Sequence, residues 1–302
     1  MRKLLDVSRL RTEQSNPASV ELDTKSALEI ATIINAEDTK VPVAVKRALP
    51  QIARAADLIA KAFSSGGHLI YVGTGTSGRL GALDAAECPP TFSTDPKMVQ
   101  YVIAGGDRAL GQAVEADEDN TELGRRDLAK RKPGIHDVVV GLAASGRTPY
   151  TIAALDFARS RGAHTVCITC NPGSPIERVS AIRIVVDVGP EVIAGSTRMK
   201  AGTAEKLVCN MLTTCALARI GYVYGNLMVK VKVTNSKLRA RAVSIIRKIT
   251  GLDRDQAEAL LKKSGDSVPV ALVMAMAEVS RTEAELRLQR SKGRVRAALK
   301  QQ

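Results

Sequence analysis

Two rhythms of apolar and polar positions alternate along the chain. From about residue 25 to residue 64, apolar residues recur every three to four positions, first through SALEIATIIN and then through AVKRALPQIARAADLIAKAF. That spacing predicts amphipathic helices. Thr24 is placed to cap the first, and Val41-Pro42 opens the second. Pro50 is expected to kink or divide the second helix, and Ser64-Ser65-Gly66-Gly67 to end it. Residues 1–24 read as irregular, with Asn16 and Pro17 as breakers. The rhythm then changes to short apolar runs: His68–Gly73, Met98–Gly105, Asp137–Ala144, His164–Cys170 and Ala181–Val188. Four of these five are continuously apolar, the mark of strands buried on both faces. Helical segments fall between them at Ser77–Glu87, Thr121–Lys132 and Thr148–Arg161, and a long one follows from Thr197 to Ile220. Beyond Asn235 no strand-like run occurs, and Gly251, Gly265, Pro269 and Gly293 punctuate short helices.

Strand and helix in alternation predict an α/β fold: a doubly wound, mainly parallel five-stranded sheet flanked by helices. N-terminal helices precede it and a small C-terminal α-helical domain follows. The expected divisions are an N-terminal helical segment over 1–59, a sheet domain over 60–221 and a helical domain over 235–302.

Composition narrows the function classes. With 302 residues, 45% hydrophobic and 25% charged, the chain suits a globular protein with a substantial core. No apolar run reaches the length of a membrane span, and MRKLLDVSRLRTEQS lacks the apolar stretch of a secretory signal. The expected location is the cytoplasm. Five scattered cysteines fit reduced thiols. Cys167 and Cys170 form a CxxC, but it lies inside a predicted buried strand, which argues against a metal or redox pair. Three separated histidines do not make a histidine-rich metal site. The net charge of +13 is concentrated: from Lys230 onward there are 17 Lys and Arg against 7 Asp and Glu. That segment has no aromatic residue to stack on a base. A solvated basic face is the better reading, and nucleic acid is not an expected partner.

The candidate chemistry lies where two strands end. Gly73-Thr74-Gly75-Thr76-Ser77-Gly78-Arg79 and Ala143-Ala144-Ser145-Gly146-Arg147-Thr148-Pro149 each lead from a strand into a helix. Glycines let the backbone approach an anion, hydroxyls donate to it, and a helix N-terminus offers free N–H groups. Thr76, Ser77, Ser145 and Thr148 are therefore candidate phosphate ligands, with Gly75 and Gly146 shaping the loops. For either loop alone, a tight turn with a capping serine is an equal alternative. Gly73, Gly75 and Gly78 match GxGxxG, but no ribose-binding acid follows about twenty residues on. A monophosphate fits the first loop better than a dinucleotide.

Two acidic positions follow these loops. Glu87 stands in Asp84-Ala85-Ala86-Glu87-Cys88-Pro89-Pro90, where the prolines are expected to stop the helix. Glu118 stands in Glu115-Ala116-Asp117-Glu118-Asp119. Two carboxylates near one phosphate pocket can divide acid and base work. Each also reads simply as a solvated acid. Arg198 and Lys200, in Gly195–Ala204, are candidates to balance an anion or to orient a glutamate; close helix packing is the alternative for that segment.

Taken together and in order, TEQSNPAS, GTGTSGRLGALDAAECPPTF, IAGGD with AVEADED, AASGRTPY, CNPGSP and GSTRMKAGTAEK resemble the N-acetylmuramic acid 6-phosphate etherase family. The resemblance spans nearly the whole chain. The middle, from about residue 60 to 221, also resembles sugar isomerase (SIS) phosphosugar-binding domains. The resemblance implies cleavage of a lactyl ether, giving N-acetylglucosamine 6-phosphate and D-lactate, in recycling of bacterial cell-wall sugars. It further implies a phosphorylated amino-sugar as substrate, a homodimer, and no metal or cofactor. The family's catalytic glutamates match Glu87 and Glu118. Ala116-Asp117 departs from the small pair usual in the second motif. On this basis Glu87 is expected to be the general acid and Glu118 the base. An aldose–ketose phosphosugar isomerase and a phosphosugar-sensing regulator are the competing functions.

Overall fold

The five apolar runs become five strands: β1 (Leu69–Gly73), β2 (Val99–Ile103), β3 (Val138–Leu142), β4 (His164–Thr169) and β5 (Ile182–Val185). The structure, a computed structural model, describes residues 10–114 and 116–301. Residues 1–9 of the expected irregular stretch, Glu115 and Gln302 lie outside the described residues. The sheet runs β2-β1-β3-β4-β5, and every pairing in it is parallel. β1 and β3 are buried along their whole length, as their lack of alternation predicts.

Six helices accompany the sheet: α1 (Ala27–Asp38), α2 (Lys40–Ser64), α3 (Gly75–Phe92), α4 (Thr121–Ala129), α5 (Pro149–Ser160) and α6 (Lys200–Arg219). Successive strand residues point to opposite faces. Ile70, Val72, Val102 and Val139 pack with Leu128 of α4 and with Ala154 and Leu155 of α5. Tyr71 faces the other side, under α3, where a Cβ on Gly81 would lie 2.8 Å from the Tyr71 Cβ. The Tyr71 hydroxyl donates to buried Asp84 of α3 (2.9 Å), which also accepts from Asn210 and Thr213 of α6.

Three local expectations need correction. Ser26, not Thr24, caps α1, through a reciprocal capping box with Glu29. Pro50 does not divide α2, which is one helix. The carbonyl that Pro50 leaves without a helical donor belongs to Lys46, an exposed residue. Nor do Pro89 and Pro90 stop α3: it runs to Phe92, and the Ser93 N–H donates to the Pro89 carbonyl (2.8 Å). Proline at the end of a helix can still accept, and its fixed φ is already helical.

Chain division also differs from expectation. The chain forms two compact units, one running to Ala86 and resuming from Pro96 to Thr213, the other comprising Glu87–Asp95 and Thr214–Gln302. The N-terminal helices are not separate, because α2 packs on β5, β1 and β3. The second unit carries a short antiparallel hairpin, β6 (Val223–Tyr224) with β7 (Leu227–Met228), which no sequence run announced. Helices α7 (Ser236–Thr250), α8 (Arg254–Lys263), α9 (Val268–Ala277), α10 (Arg281–Arg290) and α11 (Val295–Ala298) complete it. Its core gathers Val229, Ile246, Leu261, Leu272 and Leu288.

Candidate active site

β1 and β3 are neighbours, yet the chain leaves them toward opposite faces. From β1 it passes through α3 to β2; from β3 it passes through α5 to β4. Such a reversal opens a crevice beyond the carboxyl ends of the two strands. The two hydroxyl-rich loops are the exits from these strands, so the sheet order brings them to one crevice.

In the first loop only Thr74 separates β1 from α3. Thr76 and Ser77 therefore lie in the first turn of an 18-residue helix, where N–H groups have no intrahelical partner. The turn is closed by the Gly78 N–H on the Thr74 carbonyl (2.9 Å). A Cβ on Gly78 would stand 2.9 Å from the Gly73 carbonyl and 2.7 Å from Ile103 Cγ1, so this approach requires glycine. Thr76 faces Gly202 of α6. Ser77 Oγ donates to Glu205 Oε1 of α6 (2.9 Å), so it is not a capping serine.

In the second loop Ser145 is half-buried and its Oγ accepts the Arg147 N–H (3.2 Å). Gly146 has φ +66°, and a Cβ there would meet Ser174 Oγ at 2.1 Å and Thr169 Oγ1 at 2.7 Å. Thr148 precedes α5, with Pro149 at the first helical position, and its hydroxyl makes no capping bond. The loop's shape thus comes from glycine and Pro149 rather than from a side-chain cap.

Glu118 joins this crevice. Its carbonyl accepts the Tyr150 N–H in the first turn of α5 (3.0 Å). Its Oε1 lies 3.3 Å from where a Cβ on Gly75 would stand, which sets the carboxylate against the first loop. Arg79 of α3 holds the segment leading to it, donating from Nε to the Ala109 carbonyl (2.8 Å) and from Nη2 to the Gln112 carbonyl (2.7 Å). Glu87 is exposed, late in α3, and belongs to the second unit.

Lys200 has a different place from the one expected. It is 1% exposed, and its Nζ donates to Glu37 Oε2 (2.6 Å). Asn16 Nδ2 (3.0 Å) and Lys40 Nζ also donate to Glu37. Burial works to raise the Glu37 pKa, but the hydrogen bonds from Lys200, Lys40 and Asn16 outweigh it and hold the carboxyl at about 2. Lys200 is thus committed to an internal ion pair that ties the start of α6 to α1. Buried Glu191 holds the same helix end, accepting the N–H groups of Lys200 (3.0 Å) and Ala201 (2.9 Å). Arg198 is exposed in the turn just before α6.

The N-terminal motif meets the loops at this end of the sheet. Asn171 donates to Thr12 Oγ1 (3.2 Å) and to the Ala144 carbonyl (2.9 Å), and accepts the Arg11 N–H (2.7 Å). The Gly195 N–H donates to the Thr12 carbonyl (2.9 Å). Burial pushes Cys167 up to about 11 and Cys170 well above the usual thiol range, which leaves neither as a thiolate. Among the described residues, no group of three or more His, Cys, Asp and Glu is arranged to hold a metal ion.

Sequence reasoning passed over Glu205. It is 1% exposed, and burial pushes its carboxyl up to about 8, against the pull of the Ser77 hydrogen bond. The signal was present: Ala201, Ala204, Val208 and Leu212 form a buried stripe on α6, and Glu205 stands within it. A carboxylate on an apolar stripe needs a reason.

Comparison with known proteins adds the following. Residues 51–159 match the family described as glucokinase regulatory protein N-terminal SIS domain, residues 134–215 the SIS domain, and residues 225–266 the C-terminal lid domain of glucokinase regulatory protein. The N-acetylmuramic acid 6-phosphate etherase of Actinobacillus pleuropneumoniae serotype 5b is 50% identical over 98% of this chain and 97% of its own. N-acetylmuramic acid 6-phosphate etherase 1 of Vibrio cholerae serotype O1 is 50% identical over 99% of both chains. The N-acetylmuramic acid 6-phosphate etherase of Rhodopirellula baltica is 53% identical over 92% of both chains. Among solved structures, a phosphoheptose isomerase from Francisella tularensis has a TM-score of 0.50 at 16% identity, covering 63% of this chain and all of its own. That likeness concerns the fold.

Proposed function

The chain belongs to the N-acetylmuramic acid 6-phosphate etherase family, and from that premise we propose that it cleaves the D-lactyl ether of N-acetylmuramic acid 6-phosphate. The products are D-lactate and N-acetylglucosamine 6-phosphate. Thr76, Ser77, Ser145 and Thr148 hold the 6-phosphate, helped by the free N–H groups at the start of α3. Binding energy from this remote group fixes C2 and C3 of the sugar for reaction.

The reaction is an elimination followed by hydration. Ring opening exposes the C1 aldehyde and acidifies the C2 hydrogen. Glu118 takes that proton, and the electron pair forms the C2–C3 double bond. The C3–O bond breaks, and Glu87 protonates the departing ether oxygen, releasing lactate. Water then adds at C3 of the unsaturated aldehyde and restores the hydroxyl. The observation that carries this reading is the Glu118 carboxylate against Gly75 of the first loop. The same reading includes a homodimer working in the cytoplasm on bacterial cell-wall sugars. Among the described residues, no helix is long and apolar enough to cross a membrane.

The test is D-lactate release from N-acetylmuramic acid 6-phosphate by wild type, Glu87→Gln and Glu118→Gln. Wild type is expected to release lactate, and each variant to lose at least about a hundredfold in kcat, the scale of a missing general acid or base. Phosphosugar isomerisation with no lactate would replace this reading with that of an isomerase.

A further inference from the structure

Glu205 has no place in the reaction just described, yet it touches the phosphate loop. Its Oε1 accepts from Ser77 Oγ at 2.9 Å, and its Oε2 is buried with no hydrogen-bond partner among the described residues. Ser77 is half-buried, so its other side remains open. We propose that Glu205 is a proton-dependent positioning residue, which frees the Ser77 hydroxyl for phosphate only while its own carboxyl is protonated.

The argument is one of donor count. A serine hydroxyl has one hydrogen and two lone pairs. When Glu205 is ionised, Ser77 must give its hydrogen to the carboxylate and presents lone pairs toward the substrate. When Glu205 is neutral, its own O–H donates to Ser77 Oγ, and the Ser77 hydrogen turns to a phosphate oxygen. The oxygen left without a partner is then a carbonyl, which is less costly to bury than half of a carboxylate. One proton on Glu205 is thereby linked to one phosphate in the loop.

The surroundings favour the neutral form at physiological pH. Burial raises the Glu205 carboxyl to about 8, and only the Ser77 hydrogen bond pulls it down. Among the described residues, two buried thiols feel its charge: Cys170, just beyond β4, and Cys209, one turn along α6. Both are pushed well above the usual thiol range, by burial first and by carboxylates including Glu205 second, so both stay uncharged. From α3, Asp84 acts on Cys209 and is itself raised by burial. Glu191 and Asp187 act on Cys170.

This inference rests on the reading that Ser77 holds the substrate phosphate, and the experiment separates the two. The KM for N-acetylmuramic acid 6-phosphate is measured from pH 6.5 to 9.5, where the phosphate stays largely dianionic above pH 7. Wild type is expected to hold a constant KM up to about pH 8 and then rise toward tenfold per pH unit, as one linked proton requires. Glu205→Gln keeps a donor toward Ser77 Oγ and is expected to hold KM constant from pH 7 to 9. Ser77→Ala is expected to raise KM about tenfold or more at pH 7. A Ser77→Ala variant with wild-type KM would overturn the phosphate assignment and this inference with it. A raised KM in Ser77→Ala, with Glu205→Gln keeping the wild-type rise, would overturn the inference alone. A wild-type KM that stays flat to pH 9.5 would do the same without any variant.

Discussion

At the scale of single residues, the site depends on atoms that are absent. Gly75 carries φ +50°, and a Cβ there would stand 3.3 Å from Glu118 Oε1, closer than ordinary van der Waals contact. Gly75→Ala should therefore do two things. Left-handed backbone costs a non-glycine residue about 1–2 kcal/mol, or a Tm loss of about 2–3 °C in a chain of this size. The methyl group also displaces the carboxylate by a few tenths of an ångström, and with Glu118 in its proposed role as base kcat should fall about tenfold. Melting curves beside steady-state kinetics separate the two effects. An unchanged kcat would show that the Glu118 carboxylate does not need the space Gly75 leaves. The two strand-to-helix loops themselves were legible in the sequence, because an apolar run that gives way to glycine and hydroxyl residues before a helical segment marks a strand exit. Glu118 was not legible by chemistry alone: among Asp117 and Asp119 it reads as one more solvated acid. What sets it apart is tertiary, namely the Tyr150 N–H on its carbonyl and the Arg79 clamp upstream. Glu205 was missed for the opposite reason, since the apolar stripe around it reads as core.

At the scale of elements, the strands were almost fully readable and the helix ends were not. Continuous apolar runs specify strands buried on both faces, and each of the five strands lies within its run. Helix limits were not set by the prolines: Pro50 leaves the carbonyl of exposed Lys46 without a helical donor, Pro89 and Pro90 do the same to Ala85 and Ala86, and both helices continue. The start of α6 shows how strongly buried charge can override a functional guess. Lys200 looked available to an anion and is spent on Glu37. The sign of its pH dependence follows from the depressed Glu37 pKa. A carboxyl held at about 2 against an ordinary 4.5 contributes stability that is fully present above 4.5. That contribution is lost as pH falls from 4.5 toward 2. Lys200→Met removes the largest hydrogen-bond support and leaves a buried carboxylate facing only Lys40 and Asn16. Denaturant unfolding at pH 7 should show a loss of about 3 kcal/mol, the lower end for a broken buried ion pair. The variant should also lose part of the wild-type decline below pH 4.5. A loss under about 1 kcal/mol would mean that Lys40 alone suffices for Glu37.

For the whole molecule, the divisions between the two units fall mostly inside helices. Two of the three crossings, at Ala86/Glu87 and at Thr213/Thr214, lie within α3 and α6. The expected limits near residues 59 and 221 followed the extent of the resemblance to SIS domains, and the sequence could not show this division, because a continuous helix carries no breaker. The energetic consequence differs from that of a flexible linker. Melting either unit alone would unwind the end of two helices whose remaining turns stay packed in the other, and helix ends freed of tertiary contacts are marginal in water. The two units should therefore unfold together. Scanning calorimetry at pH 7 is expected to give one endotherm, with an enthalpy of about 200 kcal/mol near 60 °C from the per-residue average. The van't Hoff enthalpy should match it. Two resolved transitions, near two-thirds and one-third of that enthalpy, would show that α3 and α6 break at the unit boundary.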